Sequence, residues 1–440
     1  MSMMKIGFYY INELLSRIDC TQLLKGNPGI SGTAYMFGLI STQLAERDNG
    51  IEVTYFAPHA VNGSPKMHVE KVNDVVEAYR KAEATGLDYL VVKNNDANLL
   101  LEKLPPPAQS QTRIVVWCHN FLNQKELNCY SRCPLVARII NVGREQMDVY
   151  RDHAAFRKSD YIYNTVQIDQ RYTDGLTPVA EREDVVTYMG CVIPSKGLHV
   201  LAEAWPEVLR KKPNAQLYVI GTGALYGGNV TLGKLGLAEP RYERYIMKYL
   251  SRDGQLLPGV HLMGIMGNEK YDILRKTKVG VPNPTGNTET FCVSAVEMQM
   301  MGIRIASKRC AGYLDTVRNG VLVRNERQLA DEIVRQLDAD VSPDNSQTYF
   351  AQHFAPETII GEWERLFLKT IGKDVHLHPV LPLSNPDFEY KTLKERLRRL
   401  KLRFPWLDGL LPTVNIFVDL NWKVHSFLGK LKRRLTGDQF

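Results

Sequence analysis

Short apolar runs and longer stretches with apolar residues at helical spacing take turns along most of this chain. Residues 4–10 (MKIGFYY) read as a buried strand. After a loop with Gly26, Pro28, Gly29 and Gly32, an amphipathic helix covers about 33–47. Strands follow at 51–56, 89–93 (YLVVK), 114–117 (IVVW) and 161–164 (YIYN), with a helix at 74–85. Gly, Pro and charge then cluster over 171–184 (RYTDGLTPVAERED), the composition of an interdomain linker. Beyond it the alternation restarts. Strands read at 185–190, 216–220, 260–263, 279–282 and 303–307, and helices at 198–210, 269–277, 291–301, 311–318 and 328–337. Strand then helix, in two series, predicts two doubly wound α/β domains with mostly parallel sheets. Such sheets bind ligands at the carboxyl ends of their strands.

A third piece begins near Ala355. Residues 356–370 read as one helix, and Pro379, Pro382 and Pro386 break the chain after it. The segment KTLKERLRRLKLRF carries Leu393, Leu397, Leu400 and Leu402 among seven basic residues, which gives a helix with an apolar stripe and a cationic face. Trp406, Leu410, Leu411, Ile416, Phe417, Trp422, Phe427 and Leu428 follow, then Lys430, Lys432, Arg433 and Arg434. The expected division is a first domain over 1–175, a second over 176–355, a helix at 356–372 packing back on the first domain, and a basic amphipathic tail over 373–440.

Charge sharpens the reading of that tail. The chain of 440 residues has a net charge of +7, yet residues 387–440 alone hold 12 Lys/Arg against 6 Asp/Glu. The excess belongs to the tail, which points to an acidic partner rather than a basic globule. Cations interleaved with Trp, Phe and Leu suit an anionic membrane interface. A packed helix with solvated cations and a nucleic-acid contact are the other readings, and no recognised nucleic-acid fold accompanies the charge. The N-terminal residues run straight into a strand, and no apolar run reaches the ~18–20 residues of a spanning helix. The expectation is a cytoplasmic protein held peripherally at the inner face of a membrane. Seven cysteines, an odd number, argue against a disulfide framework, and Cys129 and Cys133 lack the further ligands of a zinc site.

Candidate chemistry concentrates in PNPTGNTETFCVSAVEMQMMGIRIAS. Glu289 stands just before a predicted helix and Glu297 lies within it; eight helical residues would set them ~12 Å apart. The free N–H groups of Phe291, Cys292 and Val293 at the helix start favour an anion. A diphosphate there, with a carboxylate at each end of the ligand, is a coherent site; two solvated glutamates on an ordinary amphipathic helix is the plainer one. Lys196, in a loop before a helix, can hold a diphosphate as a point charge. Gly223 closes a strand end (VIGTG) that matches a dinucleotide fingerprint only weakly. Asp338-Ala-Asp340 has the form of a metal-binding pair but follows a charged helix outside these segments, so no metal site is assigned to it.

Taken in order, Gly190…Ser195-Lys196-Gly197, Ile220-Gly-Thr-Gly223, Val260…Gly264, Glu289…Glu297 and Ala311-Gly312…Asp315…Asn319-Gly320 resemble the retaining GT-B glycosyltransferases of family 4, often called glycosyl transferases group 1. The resemblance covers about 140 residues of the second domain and is looser in the first. It implies two Rossmann-like domains facing across a cleft and a nucleoside-diphosphate sugar as donor, with no cofactor and no metal. Glu297 would hold the ribose, Glu289 the transferred sugar and Lys196 the leaving diphosphate, with the 291–293 amides. Gly264 would lie near the base, and Gly29, Gly32 and Thr33 would touch the diphosphate from the first domain. His119 would line the reaction centre; as a residue after a strand it also fits a cap or core role. The acceptor would be a hydroxyl, lipid-linked or on a cell-surface glycan. Cys191 stands where the family usually has Arg, with Arg171 and Arg309 as candidate substitutes. That departure keeps an inactive sugar-nucleotide or membrane-partner binding module in view, beside an epimerase of the same fold.

Overall fold

The structure is a computed structural model and describes residues 3–104, 110–227, 230–339, 346–373, 375–418 and 420. Among these residues the chain builds two parallel sheets, one per domain. The first has seven strands: β1 (Met4–Tyr9), β2 (Ile51–Ala57), β3 (His68–Lys71), β4 (Tyr89–Lys93), β5 (Arg113–Cys118), β6 (Val136–Asn141) and β7 (Ser159–Tyr161). Their order across the sheet is β3-β2-β1-β4-β5-β6-β7. The second domain holds β8 (Val185–Met189), β9 (Gln216–Ile220), a small hairpin of β10 (Ser251–Arg252) and β11 (Gln255–Leu256), then β12 (Val260–Gly264), β13 (Val279–Gly280), β14 (Arg304–Lys308) and β15 (Gly320–Val323). Its six-stranded sheet runs β12-β9-β8-β13-β14-β15.

Helices on both faces explain why the central strands are apolar at successive positions. Residues of β8 are buried on both sides, as parallel strands in doubly wound sheets are. β3 and β6 are among the departures from that pattern. β3 (HVEK) is a wholly exposed edge strand. β6 (VARIIN) is fully buried despite Arg138, whose guanidinium lies 3.6 Å from Asp160 and donates to the carbonyl of Val375. The strand expected at 161–164 sits earlier, at 159–161, and the helix expected at 291–301 begins only at Val293. Glu289 is therefore outside the helix, and the eight-residue helical spacing to Glu297 does not apply.

The linker region is not loose throughout. Arg182 is buried and donates to the carbonyls of Thr177, Thr277 and Met301, tying the crossing chain to the second domain. After the second domain the chain returns to the first. Helix Pro356–Arg365 and the π turn Leu366–Thr370 bury Ile359, Ile360, Trp363 and Phe367 in the first domain's core. Trp363 meets Trp117 edge-on at 4.7 Å between ring centroids, and Trp117 meets Phe37 at 4.6 Å.

The helix Lys391–Arg403 departs from the expected orientation. Its buried residues are Lys391, Lys394, Glu395 and Lys401, while Leu393, Leu400 and Leu402 are exposed. The expected cationic outer face is thus partly turned inward, because carboxylates and carbonyls of the first domain wait beneath it. Trp422, Phe427, Leu428, Lys430, Lys432, Arg433 and Arg434 lie outside the described residues, as does Asp340. Asp338 ends a helix and pairs with Lys212.

Candidate active site

Strand ends and two helix starts converge on a cavity of about 610 Å³ between the domains. From the first domain come Tyr10 after β1, Lys93 at the end of β4, His119 after β5, and Gly29, Gly32 and Thr33 at the start of helix Gly32–Glu46. From the second come Cys191 after β8, Gly221 after β9, Ile265 and Met266 after β12, and Asn283 after β13. Glu289, Phe291, Cys292, Val293 and Glu297 complete that wall, with Lys196 beside them. Each sheet contributes its carboxyl edge, the expected place for a ligand in open α/β sheets.

Both helix starts serve the cavity. Ser31 caps Gly32–Glu46 by accepting from the N–H of Ala34 at 3.2 Å. Helix Val293–Met300 starts across the cleft, close enough that a Cβ on Gly32 would sit 3.8 Å from Val293 Cγ2. Two positive helix ends facing one volume favour an anion there. The approach is tight: Gly29 has φ +93°, and a Cβ on it would lie 2.9 Å from the carbonyl of Met266. Three non-glycine residues of the second domain's wall, Asn283, Thr288 and Cys292, adopt positive φ of 27°, 60° and 67°. Strain of this kind, held in place by surrounding structure, concentrates at functional sites.

The two glutamates are each locked to a lysine. Glu289 Oε1 pairs with Lys196 Nζ and accepts from Asn283 Nδ2 at 2.8 Å. Glu297 Oε1 lies 2.7 Å from Lys270 Nζ and 2.9 Å from the hydroxyl of Tyr271. Burial disfavours the Lys196 charge, but Glu289 beside it more than offsets that and holds the ammonium above its ordinary range. His119 is buried, and burial, then the charge of Lys93, push its imidazole down to about 3. It is therefore neutral near pH 7, and its Nε2 has no hydrogen-bond partner among the described residues. Burial also pushes Lys93 down, and its ammonium lies over the Tyr10 ring, 6.0 Å from the ring centre.

Of the twelve residues given a donor-binding or catalytic role from the sequence, ten line this cavity: Gly29, Gly32, Thr33, His119, Lys196, Glu289, Phe291, Cys292, Val293 and Glu297. Two do not. Gly223 lies past the rim, its N–H donating to the carbonyl of Leu237; Gly221 is the glycine that lines the cavity, because its φ of +118° lets the chain pass over the carbonyl of Gly190. Gly264 sits one residue behind the wall, accepting from the N–H of Gly221, and Ile265 and Met266 take the position expected of it. No arginine lines the cavity among the described residues. Cys191 does, as a thiol pushed up to about 11 by burial and so uncharged. Arg171 pairs with Asp169 and Arg309 with Asp387, and neither lines the cavity. The cations present are Lys93, Lys196 and Lys270. Lys93 ends a parallel strand, a position that marks it from sequence. Lys270 has no such signal in NEKYDILRK.

Contacts across the cleft hold the two halves together. Thr290 Oγ1 donates to the carbonyl of His119 at 3.0 Å. Asp315 accepts from the N–H of Glu145 at 2.7 Å and from the hydroxyl of Tyr163 at 3.1 Å. Lys270 Nζ also reaches the carbonyl of Asn27 in the first domain's loop at 3.5 Å.

Residues 183–339 match the family described as glycosyl transferases group 1. Among solved structures the chain is similar to sucrose-phosphate synthase from Thermosynechococcus elongatus, with a TM-score of 0.60 and 14% identity over 83% of this chain and 98% of that one. It is similar to HepE of Anabaena in complex with UDP and glucose, with a TM-score of 0.54 and 14% identity over 82% of this chain and 98% of the other. The lipopolysaccharide outer core galactosyltransferase WaaB in its apo form gives a TM-score of 0.53 and 13% identity, over 82% and 98% of the two chains. The fold is GT-B. A comparison with curated proteins finds no match. The GT-B cleft is where the glutamates, the lysines and the two helix starts meet.

Proposed function

We propose that this chain transfers a sugar from a nucleoside-diphosphate sugar to a hydroxyl acceptor, with retention of configuration. The observation that carries the reading is the pair of buried carboxylate–lysine contacts, Glu289 with Lys196 and Glu297 with Lys270, in one cleft beneath two helix starts. A diphosphate brings negative charge to lysines and free N–H groups, and it frees carboxylates to accept from hydroxyls. Glu297 would accept from the ribose and Glu289 from the transferred sugar.

In the transfer, the bond from the anomeric carbon to the diphosphate oxygen breaks and the electron pair stays on that oxygen. The acceptor oxygen bonds to the anomeric carbon from the same face, and its proton passes to the departing phosphate. In this reading Lys196, Lys270 and the amides at 291–293 stabilise the charge that develops on the leaving group, and transfer is expected without a metal ion. His119, neutral and with a free Nε2, is suited to a sugar hydroxyl rather than to a charge. The acceptor is proposed to be a glycan or lipid-linked hydroxyl. HepE binds UDP and glucose, which makes UDP-hexoses the first donors to try.

Thermal shift with UDP-, GDP-, ADP- and dTDP-sugars tests the donor class. One of them is expected to stabilise the protein by linkage, and Glu297→Gln to remove that shift. A protein whose melting none of the four moves would refute the reading.

A further inference from the structure

The C-terminal helix Lys391–Arg403 is built inside out. Lys391 and Lys394 are 0% exposed. Lys391 Nζ pairs with Glu145, Glu395 takes Arg151 at 2.6 Å, and Lys401 Nζ donates to the carbonyl of Asp152 at 2.9 Å. Positions 391, 394, 395 and 401 share one helical face, and that face is the docked one. The leucines at 393 and 400 fall on the other. The segment beyond is pinned in the same polar way: the N–H of Val414 donates to Asp152 Oδ2 at 2.8 Å, and Thr413 Oγ1 to Gln124 Oε1 at 3.1 Å. Ion pairs and hydrogen bonds thus hold the apolar side chains outward.

The exposure this produces is concentrated. Of 22 exposed large apolar side chains among the described residues, ten lie within 390–420. Trp406 is 67% and Leu410 69% exposed, and Leu393, Leu400, Leu402 and Phe417 are also open. Soluble surfaces scatter such residues; a local excess marks a surface that meets something apolar.

Charge identifies the occupant. Residues 391–420 hold seven Lys/Arg and three Asp/Glu. Glu395 is consumed by Arg151, Arg398 and Arg399, and Asp408 by Arg157. Arg396, Arg399 and Arg403 are exposed beside the leucines. The open face is therefore apolar and cationic. A second copy would set arginines against arginines, since a two-fold contact joins like patches. The interface of an anionic bilayer accepts both features, taking Trp, Leu and Phe at headgroup depth and attracting arginine.

We propose that residues 391–418 and Leu420 form a docking face for an anionic lipid bilayer, held in place by the inward-turned charges of the helix. The proposal stands apart from the transfer chemistry, and it locates the partner on a surface away from the cleft.

Flotation of the full chain with vesicles of phosphatidylcholine and phosphatidylglycerol in equal parts tests it. Binding is expected, weaker on phosphatidylcholine alone and weaker as salt rises. The triple variant Leu400→Glu, Trp406→Glu, Leu410→Glu changes exposed positions only, so circular dichroism should be unchanged while vesicle binding falls at least tenfold. Arg396→Gln with Arg403→Gln should reduce the preference for the anionic vesicles. Wild-type protein remaining at the bottom of the gradient at low salt would overturn the proposal. So would a dimer in size-exclusion light scattering that the triple variant dissociates without vesicle binding, because the face would then join two copies of the chain.

Discussion

Lys270 Nζ sits 2.7 Å from Glu297 Oε1, and both side chains are 6% exposed. A buried ion pair of this kind costs desolvation on both sides, so it is weak evidence for stability by itself. Its place on the cavity wall gives it another meaning: the carboxylate has a second oxygen to offer a ligand while Lys270 and Tyr271 fix its orientation.

Replacing Glu297 with Gln should weaken donor binding roughly tenfold or more, since a hydrogen bond to a charged acceptor contributes ~1.5–3 kcal/mol. Lys270→Met should weaken it as well, and the double variant should lose less than the sum of the two, because each single change also strands its partner. Isothermal titration of donor into the four proteins checks this. Fully additive losses would separate Lys270 from the ribose carboxylate.

Lys196→Ala and Glu289→Gln should act on turnover more than on nucleotide affinity, because Lys196 meets the charge that develops on the leaving diphosphate and Glu289 meets the sugar. Removing one preorganised electrostatic contact to a developing charge costs ~2.7–4 kcal/mol of barrier, or ~10²–10³ in kcat. Activity should persist in EDTA. Loss of activity in chelator, restored by manganese or magnesium, would move the leaving-group charge from these lysines to a metal ion.

The two series of strands and helices were legible because parallel strands buried on both faces read as unbroken apolar runs. The returning helix was legible from Ile359, Ile360 and Trp363 at helical spacing. What stayed hidden depends on partners distant in sequence. β6 does not read as a strand because Arg138 interrupts it, and partners such as Asp160 and the carbonyls of Ala137 and Val375 make that arginine acceptable inside. Lys270 is one lysine among many until the fold sets it against Glu297, 27 residues on. The choice of Gly221 over Gly223 is a matter of which residue crosses the Gly190 carbonyl. The tail's periodicity was plain, but its orientation was not, since Glu145 and Asp152 reverse the usual rule that the apolar stripe faces in.

Asp315 gives the interdomain contact a pH dependence. Burial, then the charge of Glu145, raise its carboxyl to about 7, against an N–H of Glu145, the hydroxyl of Tyr163 and a favourable contribution from Lys391. The folded value lies above the unfolded one of about 3.8, so the native state holds the proton more tightly. The contribution is fully present below about pH 4 and is lost as pH rises through about 7. Asp315→Asn should therefore gain in melting temperature relative to wild type between pH 5 and 8. Parallel melting curves for the two proteins would show that Asp315 does not titrate in this window.

Trp363 ties the end of the second domain's chain to the first domain's core through Trp117 and Phe8. Trp363→Ala should cost ~3–5 kcal/mol by leaving a cavity. Chemical denaturation should show the loss in the transition of the first domain. A cost below about 1 kcal/mol would mean that this core closes without the returning helix.

The central claim is that the cleft breaks a sugar–diphosphate bond with its own lysines and glutamates. The direct measurement is nucleoside diphosphate release from UDP-, GDP-, ADP- and dTDP-hexoses, with product configuration read by NMR, in EDTA and without added acceptor. The account predicts slow release from at least one donor, with a hydrolysed sugar that keeps the donor's anomeric configuration, and release cut at least a hundredfold by Lys196→Ala. Tight binding of a sugar nucleotide with no bond cleavage in any of the four, or cleavage indifferent to Lys196, would contradict it.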